Sequence, residues 1–299
     1  MEPTGSEPRR VTANGVDFAY LEAGPADGPL ALCLHGFPDH APTFGPLLED
    51  LAAAGHHAVA PWMRGYAPTG PAPDGAYQSA ALALDAVALA DALAGDGEAV
   101  LVGHDWGAVA AYHAAAHAPE RFSRLVTMAV PHPGAVFARM LSTPAQLKRS
   151  WYMFFFQQPG AELLLPADDF ALVELLWRDW SPGHEPDPGF MRGLKDTLGA
   201  PGGAEAALAY YRAMLGTTPP AAELEPVQAK LTEPTPVPTL NLHGADDGCL
   251  GAELVVRDEL EPLFPAGLTL EIVEATGHFL HLERPEVVNP LVVGFLDGA

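Results

Sequence analysis

Asp105 stands at the centre of Gly103-His104-Asp105-Trp106-Gly107, after the apolar run Glu98–Val102 and ahead of the Ala-rich stretch Trp106–Ala116. Glycines two residues to either side permit a tight strand-to-helix turn, which pushes the central side chain out beside the helix N-terminus. A carboxylate is favoured there by the helix dipole. It is ionised at pH 7 and is already a nucleophile without a base to activate it. An Asp at this place would equally serve as an N-cap, so the surroundings decide. His35-Gly36-Phe37-Pro38 closes an earlier apolar run. The backbone N–H groups of Phe37 and Trp106 are the pair that would hold an oxyanion next to such a turn. His278, in Ala275-Thr276-Gly277-His278-Phe279, is the candidate general base. Asp247, in Gly244-Ala245-Asp246-Asp247-Gly248, is the candidate acid to orient it, with Asp246 as the rival. Nucleophile, acid and histidine in the order 105, 247, 278 follow one of the recurring chain orders of such a triad.

The elements needed to position these residues are legible as an α/β alternation. Val11–Leu21 reads as a hairpin turning at Asn14-Gly15. Strands are expected at Pro29–Leu34, His57–Ala60, Glu98–Val102 and Phe122–Val130, with helices at Phe44–Ala54, Ser79–Ala94 and Trp106–Ala116. That alternation means a mostly parallel central sheet flanked by helices. The next strand is at Val237–Leu242, and the intervening stretch from Pro131 is about a hundred residues, where a whole βαβ unit takes about 30. The surplus is helical and aromatic-rich, over Trp151–Phe156, Phe170–Trp177, Gly189–Leu198 and Ala204–Leu215. It reads as an inserted helical cap rather than a loop. The expected division is a core of residues 1–132 and 234–299 with a cap over 133–233. A helix at Ala252–Leu260, a strand at Leu268–Val273 and a helix at Pro285–Phe295 complete the core.

The chain has 299 residues, with 15 Lys and Arg against 38 Asp and Glu, a formal net charge of −23. Such a field repels phosphate backbones and anionic lipid surfaces, which argues against nucleic-acid and membrane partners. Residues 1–15 contain no apolar signal-peptide core, and Ser79–Ala94 is interrupted by Asp85 and Asp91, so a cytoplasmic protein is expected. Cys33 and Cys249 are too few for a disulfide framework or an all-thiolate zinc site and are expected to be free thiols.

With these residues in hand, the chain resembles the epoxide hydrolases of the α/β-hydrolase fold. The resemblance is carried by His35-Gly36-Phe37-Pro38, Arg64-Gly65-Tyr66, Gly103-His104-Asp105-Trp106-Gly107 and Gly277-His278-Phe279. The elbow and the His-Gly-x-Pro loop are shared with haloalkane and haloacetate dehalogenases, so the cap must separate the reactions. The resemblance implies two cap tyrosines as proton donors to the epoxide oxygen, falling on Tyr152 and on Tyr211, with Tyr210 as the latter's rival. A ring-opened epoxide is an alkoxide that needs a proton as it leaves, and a neutral tyrosine can supply one. A departing halide needs none. The implied substrate is a small apolar epoxide, hydrolysed with water and with no metal or organic cofactor. Trp106, Phe37, Trp151 and Phe155 are the expected pocket walls. The family usually has Asp two residues before the Arg-Gly-Tyr arginine, where this chain has Trp62. The alternatives are a dehalogenase using the same Asp105 and a non-catalytic ligand-binding protein of the fold.

Overall fold

The computed structural model describes residues 7–298. Eight strands form one sheet: β1 (Arg9–Ala13), β2 (Val16–Ala23), β3 (Leu30–Leu34), β4 (His57–Pro61), β5 (Ala99–His104), β6 (Phe122–Met128), β7 (Thr239–Gly244) and β8 (Leu268–Val273). Their order is β1-β2-β4-β3-β5-β6-β7-β8. β2 runs antiparallel to both β1 and β4, and the other pairs are parallel. β3, β4, β5 and β7 are buried at every position, as central strands covered on both faces must be. The β1–β2 hairpin turns at Asn14 and Gly15, both at positive φ, the twist that a two-residue hairpin requires.

Helices α1 (Gly45–Ala53), α2 (Ser79–Ala94) and α3 (Trp106–His117) connect the first parallel strands. Between β6 and β7 the described chain is helical: α4 (Pro133–Ser142), α5 (Pro144–Arg149), α6 (Trp151–Phe155), α7 (Ala161–Leu164), α8 (Ala167–Trp180), α9 (Pro188–Gly199), α10 (Gly203–Leu215) and α11 (Glu225–Gln228). α4 and α5 lie ahead of the first cap helix expected at Trp151. Each opens on a proline, which suits the first helical position because its missing N–H would be unpaired there anyway. After β7 come α12 (Arg257–Leu260), α13 (Leu280–Glu283) and α14 (Pro285–Leu296).

One expected helix is corrected. Ala252–Leu260 is a 3₁₀ turn over Ala252–Leu254, a non-helical Val255-Val256 step, and then the single turn of α12. Two adjacent β-branched residues with restricted χ1 are poor helix formers, and the chain breaks there. Among the described residues no helix is long and apolar enough to cross a membrane. The expectation of no secretory leader rests partly on residues 1–6, which lie outside the described residues.

Arg64 is fully buried, and its guanidinium is bidentate to Asp85 on α2 at 2.5 and 2.6 Å. Asp74 and the Ala76 carbonyl accept its remaining donors, while Asn14 of the hairpin donates to Asp85 at 2.8 Å. Asp85 therefore interrupts the apolar run of α2 because it neutralises a buried cation. Trp62 leaves Arg64 fully partnered: its side chain is buried, and its backbone pairs with Ala19 and Thr69.

Candidate active site

Asp105 follows β5 at φ 51°, ψ −120°, a strained conformation for a residue with a Cβ. The surrounding glycines make that turn possible. A Cβ on Gly107 would lie 1.8 Å from the Leu34 carbonyl oxygen, and one on Gly36 would lie 2.2 Å from Asp105 Oδ1. Asp105 Oδ1 accepts a 2.7 Å hydrogen bond from the Phe37 backbone N–H. The Trp106 N–H, first in α3, has no intrahelical acceptor by its position. It is free to serve the same spot.

His278 and Asp247 meet Asp105 at the carboxyl ends of β5, β7 and β8. His278 Nδ1 is 2.9 Å from Asp247 Oδ2, and His278 Nε2 is 3.6 Å from Asp105 Oδ2. The other Asp247 oxygen accepts the backbone N–H groups of Cys249 and Leu250 at 2.7 and 2.9 Å. The rival Asp246 is exposed to solvent. Burial opposes a charge on His278, but the Asp247 and Asp105 carboxylates outweigh it and push its pKa up to about 10. Burial alone would raise Asp247, yet the facing His278 charge holds it below the usual carboxylate range.

No motif or periodicity announces what anchors the histidine loop. The Trp180 carbonyl, at the end of α8, accepts the backbone N–H groups of both Gly248 and His278 at 3.0 Å. Ser181 donates to Glu283 at 2.6 Å and accepts from Phe279 N–H, while Gly277 N–H donates to Glu283 at 2.7 Å. Such an approach needs glycine: a Cβ on Gly248 would sit 1.9 Å from the Asp179 carbonyl oxygen. Behind the histidine, His104 Nε2 is 2.9 Å from the His278 carbonyl oxygen, and its other nitrogen is 3.7 Å from the fully buried Asp39.

A cavity of about 420 Å³ opens over Asp105, between the sheet and the inserted helices. Tyr152, Tyr210, Tyr211, Trp106 and Cys249 line it near Asp105. Val109, Val136, Met140, Met153, Met214 and Leu231 line the remainder. Its ionisable lining among the described residues is acidic or a thiol, namely Asp105, Glu225 and Cys249 beside the phenols, with no Lys, Arg or His.

Both tyrosines of the second candidate pair face the cavity, but they differ at the hydroxyl. Tyr210 Oη donates to the Arg64 carbonyl at 2.7 Å, whereas Tyr211 Oη is buried with no partner among the described residues. The Tyr152 ring stands edge-on to Tyr211 at 5.6 Å, and its Oη lies 3.3 Å from Cys249 Sγ. Burial pushes both phenols well above their ordinary pKa, so they stay protonated.

Of the four expected pocket walls, only Trp106 lines the cavity. Phe37 is buried, with its ring packed edge-on to Phe156 and Tyr211. Trp151 is 40% exposed, and Phe155 packs against it. The phase of α6 explains the difference. Tyr152, Met153 and Phe156 share its inward face at helical spacing, which turns Trp151 outward and leaves Phe155 half-buried, packed on the core away from the cavity.

The sheet order, the elbow after β5 and the helical insertion after β6 together define an α/β hydrolase. A family model of the alpha/beta hydrolase fold matches residues 29–285. Epoxide hydrolase 3 of Xenopus tropicalis is 32% identical over 298 residues, covering 96% of this chain and 76% of that protein. Epoxide hydrolase A of Mycobacterium tuberculosis is 29% identical over 332 residues, covering 97% of each. The crystal structure of the Bacillus megaterium epoxide hydrolase in complex with an inhibitor superposes with a TM-score of 0.83 at 26% identity, covering 97% of this chain and 100% of that one. The chain belongs to the α/β-hydrolase fold family, and these two relatives and this solved structure are epoxide hydrolases.

Proposed function

We propose that the protein hydrolyses neutral, apolar epoxides to vicinal diols through an ester on Asp105. The observation that carries this reading is the pair of buried, protonated phenols of Tyr152 and Tyr211 facing the carboxylate across one cavity. Asp105 Oδ2 attacks an epoxide carbon, the ring C–O bond breaks, and the departing oxygen takes a phenol proton. This leaves a hydroxyalkyl ester and a tyrosinate.

Esterification removes the Asp105 charge, one of the two carboxylates that hold the proton on His278. That proton returns through water to the tyrosinate, and His278 becomes a neutral base. His278 Nε2 then deprotonates a water, which attacks the ester carbonyl carbon. The Phe37 and Trp106 N–H groups hold the oxyanion. The ester C–O bond breaks, the diol leaves, and Asp105 and protonated His278 are restored. Every proton is accounted for by the side chains. The acidic lining opposes a carboxylated substrate, which favours neutral alkyl and aryl epoxides over epoxy fatty acids.

His278→Gln tests the scheme, because it retains attack and removes the base. Incubated with styrene oxide, this variant should accumulate a covalent adduct on the Asp105 peptide, visible by mass spectrometry. An unmodified peptide from a folded variant would overturn the ester mechanism. Halide release from a haloalkane panel without diol formation would transfer the site to dehalogenation.

A further inference from the structure

Cys249 has no part in the proposed reaction, yet its thiol lies inside the site. The carboxylate of Asp105, the imidazole of His278 and the thiol of Cys249 each bring one donor atom to within 4.8 Å of the others, and all three residues are buried. Asp105 Oδ2 and His278 Nε2 are already 3.6 Å apart. Tetrahedral zinc bonds of about 2.0–2.3 Å place its donors roughly 3.3–3.7 Å apart, so the sulfur closes by about 1.5 Å at most. His278 Nε2 is fully buried and has no hydrogen-bond partner among the described residues, although it lies within 4.8 Å of both other donors.

We propose that Asp105, His278 and Cys249 form a binding site for a soft divalent cation of the zinc or cadmium type, and that its occupation blocks the epoxide reaction. The donor set is one carboxylate oxygen, one imidazole nitrogen and one thiolate, and the cavity onto which Asp105 and Cys249 open leaves a fourth position for water. Asp247 supports two of the three ligands. Its Oδ2 fixes His278 Nδ1, the carboxylate–histidine arrangement that orients metal-bound imidazoles, and its Oδ1 holds the Cys249 backbone N–H at 2.7 Å. Binding forms three metal–ligand bonds and sends the Cys249 thiol proton and the His278 Nε2 proton to water, with no redox change. The two anionic donors balance the dication.

A cation here occupies the place of the hydrolytic water and ties up the attacking oxygen, so both chemical steps stop. The binding stands on the geometry alone, while the inhibition rests on the reaction proposed above.

The test is a Co2+ titration of the full-length, chelator-stripped protein. Binding should produce a near-ultraviolet thiolate-to-cobalt charge-transfer band, saturating at one ion per chain and displaced by Zn2+. Zn2+ should inhibit styrene oxide hydrolysis, and EDTA should restore it. Cys249→Val should lose the band, and its Zn2+ inhibition constant, measured against its own metal-free rate, should rise at least about 10-fold. Cys33 remains in that variant as the internal control thiol. Should Cys249→Val fail to fold, His278→Gln serves instead: the thiol is intact, and Co2+ affinity should fall by at least about 10-fold. No charge-transfer band in the wild-type protein, a band that survives Cys249→Val, or a Co2+ affinity unchanged in His278→Gln overturns the site. A cysteine-dependent band in a protein that turns over no epoxide would leave the site standing and remove the activity.

Discussion

The Asp247 and Asp105 carboxylates together hold the proton on His278, and neutralising Asp105 separates its share from that of Asp247. Asp105→Asn keeps the shape of the elbow and mimics the loss of charge on esterification. The carboxylate and imidazole are 3.6 Å apart. At an effective dielectric of about 20, that separation is worth about 4–5 kcal/mol, or about 3 pH units. The His278 pKa, pushed up to about 10 in the resting protein, should therefore fall to about 7. The assay is a pH titration of the His278 ring by side-chain 15N and 13C NMR in the wild type, Asp105→Asn and Asp105→Ala. Stability supplies a second readout. A folded pKa raised above the unfolded value near 6.5 gives stability that is complete below about pH 6.5 and is lost as pH rises through about 10. The wild-type melting temperature should thus fall across that window, whereas Asp105→Asn should lose this contribution by about pH 7. If His278 titrates near 10 in the neutral variants too, Asp105 is not what holds the proton. The base in the second step would then need another route to its neutral form.

The hydroxyl assignments and the buried ion pair give the remaining predictions. Tyr152→Phe and Tyr211→Phe should each slow ester formation in single-turnover experiments by about 10-fold or more, within the range of general-acid catalysis. Tyr210→Phe should leave that rate near wild type and cost about 1 kcal/mol of stability through its lost bond to Arg64; a rate defect in Tyr210→Phe equal to that of Tyr211→Phe would reverse the assignment. Asp85→Ala strands the fully buried Arg64 guanidinium without its bidentate partner and should cost about 3–5 kcal/mol in urea unfolding. A loss below about 1 kcal/mol would mean that Asp74 and water replace Asp85.

What was legible in the sequence shares one physical property: its cause is local. Asn14-Gly15 turns the hairpin because both residues accept positive φ. Gly107 marks the elbow because a side chain there would strike the Leu34 carbonyl, and Gly103 because one there would strike Gly107. Val255 and Val256 broke an expected helix, and that signal too was local, in the β-branching of adjacent residues. Helix phase is harder to read. The aromatic run Trp151–Phe156 is apolar all round, so composition alone could not tell that Tyr152 and Phe156 face inward while Trp151 faces solvent. Hardest are pairings between distant segments. Trp180 holds the backbone of both Gly248 and His278, and Ser181 bridges to Glu283 a hundred residues on, with no periodicity to announce either.

If His278 is the base, as proposed, these long-range ties make the end of α8 part of its support. The inserted helices therefore do more than roof the cavity. They tie the backbones of Gly248 and His278 together through the Trp180 carbonyl oxygen, while Tyr152 and Tyr211 line the cavity over Asp105 from the same insertion. In the proposed reaction, a shift of this segment would move proton donors and base together, which would couple the two steps through the geometry of one structural unit.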